Sequence, residues 1–204
     1  MIPILALSVI ALAIVLAKVW TFWRFRVQAD NLWRRVSLLA QEGNLASALR
    51  ISQEQNSPLG RLFEEAIVHR HQERGDLTHR LERAGGDVVA GLEAYLGALA
   101  TIIGVEPMLG FLGTIIGLIQ AFMQWETMGD QITINALAGG IYQAMITTAA
   151  GLSVAIPYYL IHNHLVSRVG ALTRLMEERT EAFVDTLTET ALMQDVKEPV
   201  RHAL

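Results

Sequence analysis

The stretch GGIYQAMITTAAGLSVAIP, residues 139–157, is apolar enough to cross a lipid bilayer, yet it contains several polar side chains. The polar side chains are those of Tyr142, Gln143, Thr147, Thr148 and Ser153. In the hydrocarbon core a polar group is costly unless it faces a helix bundle or a water-filled path. The stretch therefore predicts a membrane helix with a polar face that is turned away from lipid.

The composition of the whole chain agrees with a membrane protein. Of its 204 residues, 52% are hydrophobic, and the mean hydropathy is +0.35, which is typical of a small multi-span protein. The chain has no cysteine, which excludes disulfides, iron–sulfur clusters and thiol catalysis. It also has no nucleophile, phosphate-binding or dinucleotide motif and no basic tract with interleaved aromatics. We therefore expect no enzyme activity, no catalytic residue, no cofactor and no nucleic-acid partner.

Histidines provide two further candidate sites, and both are interpreted as structural. His69, His71 and His79 lie among Arg and Glu residues. Two histidines spaced His-x-His on a helix point apart, so we interpret these three as part of a solvated face rather than a metal site. His162 and His164 follow the third apolar stretch, and we interpret them as polar anchors at the membrane interface.

Three apolar stretches are long enough to span a bilayer, which requires about 20 residues. We predict an all-α integral membrane protein with three transmembrane helices, two of them long and extending into the cytoplasm, and a helical cytoplasmic domain. The predicted segments are transmembrane helix 1 at 1–25, a cytoplasmic helical segment at 26–93, a long helix containing transmembrane helix 2 at 94–125, a periplasmic turn at 126–135, a long helix containing transmembrane helix 3 at 136–167, and a cytoplasmic amphipathic tail at 168–204.

The distribution of Lys and Arg predicts the orientation. Of the 16 basic residues, 11 lie from Lys18 to Arg83 and five follow Leu165, whereas the connection at 126–135 has none. The positive-inside rule then places 26–93 and the C-terminal tail in the cytoplasm. The N-terminus and the turn at 126–135 face the periplasm.

The predicted cytoplasmic segments are punctuated by turn residues. Gly43-Asn44 and Asn56-Ser57-Pro58 divide the first segment into short helices, and Gly85-Gly86 predicts a joint before the second long helix. The tail has apolar residues at helical spacing, which predicts an amphipathic extension of the third helix. Those apolar positions are 169, 172, 176, 183 and 187.

The second long stretch has small residues on one helical face. At 100° per residue, one stripe contains Glu106, Gly110, Gly113, Gly117 and Ala121, with Thr114 on its flank. Glycines on such a stripe let another helix backbone approach closely. The alternative for this motif is packing alone, with Thr114 bonded to its own backbone.

The third stretch supplies polar groups at a matching depth. Gln143 and Thr147 share a face, and Thr148 and Gly151 share an adjacent one. Counted from the outer helix ends at about 1.5 Å per residue, Thr114 and Thr148 lie at a similar depth. Two helices that bring hydroxyl groups to one level near mid-membrane are harder to explain by packing alone.

With these motifs, the chain resembles the MotA/TolQ/ExbB proton-channel family and is most similar to its three-span ExbB/TolQ branch. The resemblance rests on PMLGFLGTIIGLIQAF at 107–122 and on GGIYQAMITTAAGLSVAIP at 139–157. Weaker support comes from NLASALRISQEQNSPLGRLFEEAI at 44–67. Together these segments extend the resemblance over nearly the whole chain.

The resemblance implies a motor subunit of the bacterial inner membrane. Proteins of this branch form a homopentamer whose second and third helices line a pore, in which a one-span ExbD/TolR-like partner places its membrane helix. Proton passage past an Asp of that partner drives work across the periplasm, which for ExbB is TonB-dependent transport with a TonB-like protein. The implied surroundings are membrane lipid. The residues assigned to the ion path are Thr114, Thr148, Gln143, Thr147 and Glu106, and those assigned to close helix packing are Gly110, Gly113, Gly117 and Gly151.

The sequence departs from the ExbB/TolQ pattern at Gln143, where relatives have Glu. Glutamine cannot titrate, so three interpretations stay open. The partner's Asp is the only titrating group, or Glu106 acts as an alternative acid at the cytoplasmic side of the pore, or the ion is not a proton. We favour the first, with Glu106 as an assisting acid. The simpler alternative for Glu106 is a place in the cytoplasmic mouth or a pair with an Arg of a neighbouring subunit.

Two other functions are consistent with the sequence. One is the same motor in a TolQ-like role in envelope integrity or in motility, which only the identity of the partner would separate. The other is a membrane scaffold that conducts no ion. The matched Thr114 and Thr148 hydroxyls argue against the scaffold.

Overall fold

The structure, a computed structural model, describes residues 2–55, 57–128 and 134–201, with side chains over 2–55, 57–128 and 138–190. These residues form helices joined by short turns and contain no β-strand. The helices are α1 (Ile2–Gln41), α2 (Leu45–Glu54), α3 (Pro58–Val68), α4 (Arg74–Glu93), α5 (Leu96–Met128) and α6 (Ile134–Arg201).

Three helical stretches are long and apolar enough to cross a membrane. They lie within Ile2–Gln41, Arg74–Met128 and Ala138–Thr190. The predicted fold class, an all-α membrane protein with three spanning helices, is confirmed. The predicted turn at 126–135 begins inside α5, and residues 129–133 lie outside the described part of the chain.

The chain divides into two compact units. Met1–Val19 and Tyr95–Val166 form the first, here called the spanning unit. Trp20–Ala94 and Ser167–Leu204 form the second, here called the bundle unit. Helix α1 passes the predicted boundary at residue 25 without a break, and α6 likewise passes the predicted boundary at 167.

Turn residues define the short helices of the bundle unit, as predicted. Gly43 has a φ of 75°, which favours glycine, and Asn44 caps α2 by accepting a hydrogen bond from the Ser47 amide at 3.2 Å. Ser57 caps α3 by accepting from the Gly60 amide at 3.1 Å, and Pro58 occupies the first helical position. The predicted turn residue Asn56 lies outside the described residues.

Large side chains form the core of the bundle unit. Phe63 and Phe183 are fully buried with ring centroids 4.6 Å apart, and Trp33 packs at 5.9 Å from Phe63. The apolar residues that predicted an amphipathic tail are all buried. They are Val169, Leu172, Met176, Phe183 and Leu187.

The predicted joint at Gly85-Gly86 is wrong. Both glycines lie inside α4, and the break comes later, at Ala94 and Tyr95, where Tyr95 has a φ of 65°. Glycine permits a break but does not impose one. Gly85 is buried, and a Cβ there would lie 3.5 Å from the terminal methyl of Met176, so packing of this face keeps α4 helical through the pair.

Candidate functional site

Within the spanning unit, α5 and α6 approach backbone to backbone at two of the predicted glycines. A Cβ built on Gly151 would lie 2.8 Å from the Glu106 carbonyl oxygen and 3.2 Å from the Gly110 Cα. A Cβ built on Gly110 would lie 3.0 Å from the Thr147 carbonyl oxygen and 3.2 Å from the Thr148 Cα. Because backbone atoms are the obstacles, a side chain at either position would force the helices apart.

The same close approach continues along α5 at Gly113 and Gly117. A Cβ on Gly113 would lie 2.6 Å from the Thr147 hydroxyl oxygen, and one on Gly117 would lie 2.9 Å from the Gly140 carbonyl oxygen. Gly140 was missed as a packing residue. With Ala144 and Gly151 it forms a stripe on α6, which the 100° argument applied to α5 would have found on this helix also.

The Thr114 and Thr148 hydroxyls meet across this crossing. The two oxygens are within hydrogen-bond contact, which agrees with the prediction that they lie at one depth. Both also reach the same acceptor, the Gly110 carbonyl oxygen, at 3.3 Å from Thr114 and 3.1 Å from Thr148. Three hydrogen-bond contacts therefore share two hydroxyl protons. Rotation of the hydroxyl groups can change which contact each proton occupies.

Thr147 and Gln143 do not share one environment, although they lie one turn apart. Thr147 is 9% exposed, and its hydroxyl donates to carbonyls of its own helix at Ala144 (2.8 Å) and Gln143 (3.2 Å). The structure thus groups Thr147 with the packing residues rather than with an exposed polar face. The Gln143 side chain is exposed on the surface of the chain.

Glu106 is enclosed within the described part of the chain. The residue is 0% exposed, and neither carboxylate oxygen has a hydrogen-bond partner among the described residues. The helical stripe predicted its face correctly, because Gly110, Gly117 and Ala121 on the same stripe are also buried.

Two contacts involving α1 in the spanning unit were not predicted. The Tyr158 hydroxyl on α6 donates to the Ser8 carbonyl oxygen at 3.0 Å. Lys18 is 6% exposed, with its ammonium 6.0 Å from the centre of the Tyr95 ring. The sequence contains no signal for the burial of this lysine.

Two of the three predicted surface histidines, His69 and His79, each contact a different carboxylate. The His69 ring lies 3.1 Å from Glu65 and the His79 ring 3.2 Å from Glu82. Both contacts are between neighbours three or four residues apart, as on a solvated helical face.

Comparisons with known proteins agree with the motifs. The profile of the MotA/TolQ/ExbB proton channel family matches residues 54–178. A protein from Methanothermobacter thermautotrophicus named as an ExbB homolog is 29% identical over 144 residues. Two proteins of Synechocystis sp., named biopolymer transport proteins ExbB-like 1 and ExbB-like 3, are 34% identical over 170 residues and 28% identical over 181 residues.

These alignments cover 71%, 82% and 88% of this chain. They span 50% of the Methanothermobacter protein, 66% of ExbB-like 1 and 86% of ExbB-like 3. The family match covers more than half of the chain and includes α5 and the α6 segment that carries Thr148 and Gly151. The chain therefore belongs to the MotA/TolQ/ExbB proton channel family, in its ExbB branch.

Proposed function

We propose that the chain is an ExbB-like subunit of an ion-driven motor in the bacterial inner membrane. Five copies surround the membrane helices of two copies of a one-span ExbD-like partner, and protons pass between the two proteins. The motor energises TonB-dependent transport across the outer membrane. Membership of the proton channel family and the names of the relatives support this proposal.

The observation that carries the proposal is the hydroxyl pair of Thr114 and Thr148. A single Thr in a membrane helix can bond to the carbonyl four residues earlier and needs no partner. Here one carbonyl, that of Gly110, receives both hydroxyls, and the hydroxyls also contact each other. Such a connected set can pass a proton along by exchanging donor and acceptor roles.

The exposed side chain of Gln143 extends the polar face toward other molecules. Its amide can donate and accept hydrogen bonds, so it can order water without titrating. In the proposed assembly, Gln143 faces the pore and the partner's Asp supplies a titrating group there.

A membrane scaffold that conducts no ion is the second candidate. The observation in its favour is that the Thr114, Thr147 and Thr148 hydroxyls all have acceptors within the chain. The glycine crossing would then serve helix packing alone. A TolQ-like motor, serving envelope integrity or motility, differs from the first proposal only in its partner and load.

Proton flux in liposomes tests the proposal. The chain is reconstituted with a one-span ExbD-like protein, and flux is measured under an imposed potential. Thr148→Val keeps the size of the side chain but removes the hydroxyl, and we expect flux to fall to background. Thr101→Val is the matched control, because the exposed Thr101 on α5 bonds only to the Gly97 carbonyl at 3.0 Å. The control should conduct like wild type.

Replacement of the partner's membrane Asp by Asn should also abolish flux. Full flux in the Thr148→Val protein would contradict a role of this hydroxyl in the ion path. Entry of sodium without protons would change the coupling ion. Absence of any flux in wild type, under a potential and with the partner bound, would leave the scaffold as the better description.

A further inference from the structure

The buried carboxyl of Glu106 has no role in the mechanism described so far. Glu106 is fully enclosed, and both of its carboxylate oxygens lack a hydrogen-bond partner in the part of the chain that the structure describes. An ionised carboxylate in such a place costs several kcal/mol unless a cation or a set of donors faces it. A cation on a neighbouring helix would remove this cost.

Other charged or titratable side chains lie on each helix of the spanning unit. They are Lys18 on α1, Tyr95 in the turn before α5, Glu126 on α5, and Tyr142, Tyr158, Tyr159, His162 and His164 on α6. Gly151 of α6 packs against the Glu106 backbone and so marks its level on that helix.

The cationic candidates among them lie far from Glu106 along the helix axes. Tyr95, whose ring faces Lys18, precedes Glu106 by about 16 Å of helical rise, and His162 follows Gly151 by a similar distance. Tyr158 follows Gly151 by about 10 Å, and its hydroxyl already donates to the Ser8 carbonyl. Among the described residues of the spanning unit, no cation forms a hydrogen bond with the Glu106 carboxyl, and in such an enclosure the neutral acid is the favoured form.

Groups that can bind a proton or form a hydrogen bond lie within about one turn of Glu106 on α5, in both directions. Gly110, one turn further along α5, accepts hydrogen bonds from both threonine hydroxyls. In the other direction, Pro107 has no amide hydrogen, so the Ile103 carbonyl lacks its helical donor. A helical side chain leans toward the preceding turn, where this carbonyl lies. Along α5, Glu106 thus lies between the Ile103 carbonyl and the Gly110 carbonyl that accepts from the hydroxyl pair.

We propose that Glu106 is the carboxyl that this chain itself contributes to proton transfer, in place of an acid at position 143. The proposal rests on the proposed function. Glu106 alternates between carboxylic acid and carboxylate, taking a proton from one side of the membrane and releasing it toward the other. The acid is internal to the subunit, so each copy in the assembly carries one.

Infrared difference spectroscopy on the chain alone, in lipid, tests the first half of the proposal without the partner. Wild type should show the carbonyl band of a protonated carboxyl at neutral pH, with loss of intensity as pH rises. Glu106→Gln should lack the band. Glu126→Gln removes an exposed acid near the end of the same helix and should retain it. A wild-type spectrum without the band, or a band that persists in Glu106→Gln, overturns the proposal.

Proton flux with the partner tests the second half. Glu106→Gln preserves shape but cannot titrate, and flux should fall by about 10²-fold, the scale on which a proton-transferring group contributes. Glu106→Asp should retain flux with a shifted pH profile, which a purely structural carboxyl would not produce. Glu126→Gln should conduct like wild type.

The two proposals fail in different ways. Wild-type flux that persists in Glu106→Gln, while Thr148→Val abolishes it, would overturn the role of Glu106 and keep the proton channel. No flux in wild type would contradict the proposed function. A Glu106→Gln protein that does not fold would leave the infrared titration of wild type and the pH profile of Glu106→Asp as the deciding measurements.

Discussion

The two units of this chain differ in the kind of packing that stabilises each of them internally. In the spanning unit, the α5–α6 contact is made by Gly110, Gly151 and their small neighbours, while Phe111 and Phe122 are 64% and 61% exposed. In the bundle unit, Phe63 and Phe183 are fully buried against each other. The α5–α6 contact of the spanning unit thus uses the smallest side chains, whereas the centre of the bundle unit is filled by aromatic rings.

The difference is the one expected if the spanning unit meets lipid and the bundle unit meets water. Lipid is as apolar as a phenyl ring, so moving a ring from lipid into the protein interior gains little free energy. Close contact between helix backbones then becomes the main attraction. In water, the burial of large apolar side chains drives folding. The comparison teaches that the same chain changes its packing rule near residues 19, 95 and 166, where the two units divide.

The largest expected effect lies in the core of the bundle unit. Phe183→Ala removes a fully buried ring that packs on Phe63, and we expect a loss of about 3–5 kcal/mol in the free energy of unfolding. Leu38→Ala is the control, because Leu38 is 60% exposed on α1 in the same unit. Denaturant unfolding in detergent, with hydrogen exchange of α3 and α6 as the readout, measures the difference in the free energy of unfolding between the two variants. Equal losses in the two variants would contradict the assignment of the core.

A smaller effect is expected at the helix crossing of the spanning unit. Gly151→Ala places a methyl group 2.8 Å from the Glu106 carbonyl oxygen, so the helices must separate, at about 1–3 kcal/mol. Gly139→Ala on the same helix meets nothing within 4 Å, and it should be neutral or stabilise the helix by up to about 1 kcal/mol. Thermal unfolding in detergent compares the two. If Gly151→Ala were as stable as Gly139→Ala, the close backbone approach would be disproved.

The smallest effect is expected at a polar contact of the bundle unit. Arg74 and Asp185 form an ion pair at 2.7 Å, and their side chains are 64% and 50% exposed. Water and salt screen such a pair, so a double-mutant cycle of Arg74→Ala and Asp185→Ala should give a coupling free energy of about 0.2–1 kcal/mol. The coupling should shrink further at high salt. A coupling several times larger would mean that charge, and not apolar burial, holds α4 to α6.

The helical stripes and the caps were accessible from the sequence because they depend on local periodicity. The helical rotation of 100° per residue predicts that Glu106, Gly110 and Gly117 share one face, and this face is buried. Asn44 and Ser57 cap helices through hydrogen bonds to residues three positions later. The similar depth of Thr114 and Thr148, whose hydroxyls are in contact, was predicted from the helical rise per residue.

Features that depend on packing between distant segments were predicted less well. Gly85-Gly86 has the composition of a joint, yet packing against Met176 keeps it helical. Thr147 was expected to share the polar face of Gln143, but it is buried against Gly113. Gly140 was not singled out, because its importance depends on the position of Gly117 on another helix.

The sequence by itself determined that this is a three-span helical membrane protein of the ExbB type, because hydrophobic length, charge distribution and the two glycine–threonine motifs are properties of the linear chain. Only the tertiary structure decided which polar groups are enclosed. Glu106 and Gln143 look alike as polar residues in apolar helices, yet Glu106 is sealed inside the chain and Gln143 is exposed. The reason is that helical periodicity specifies a face, whereas burial depends on what another helix places against that face.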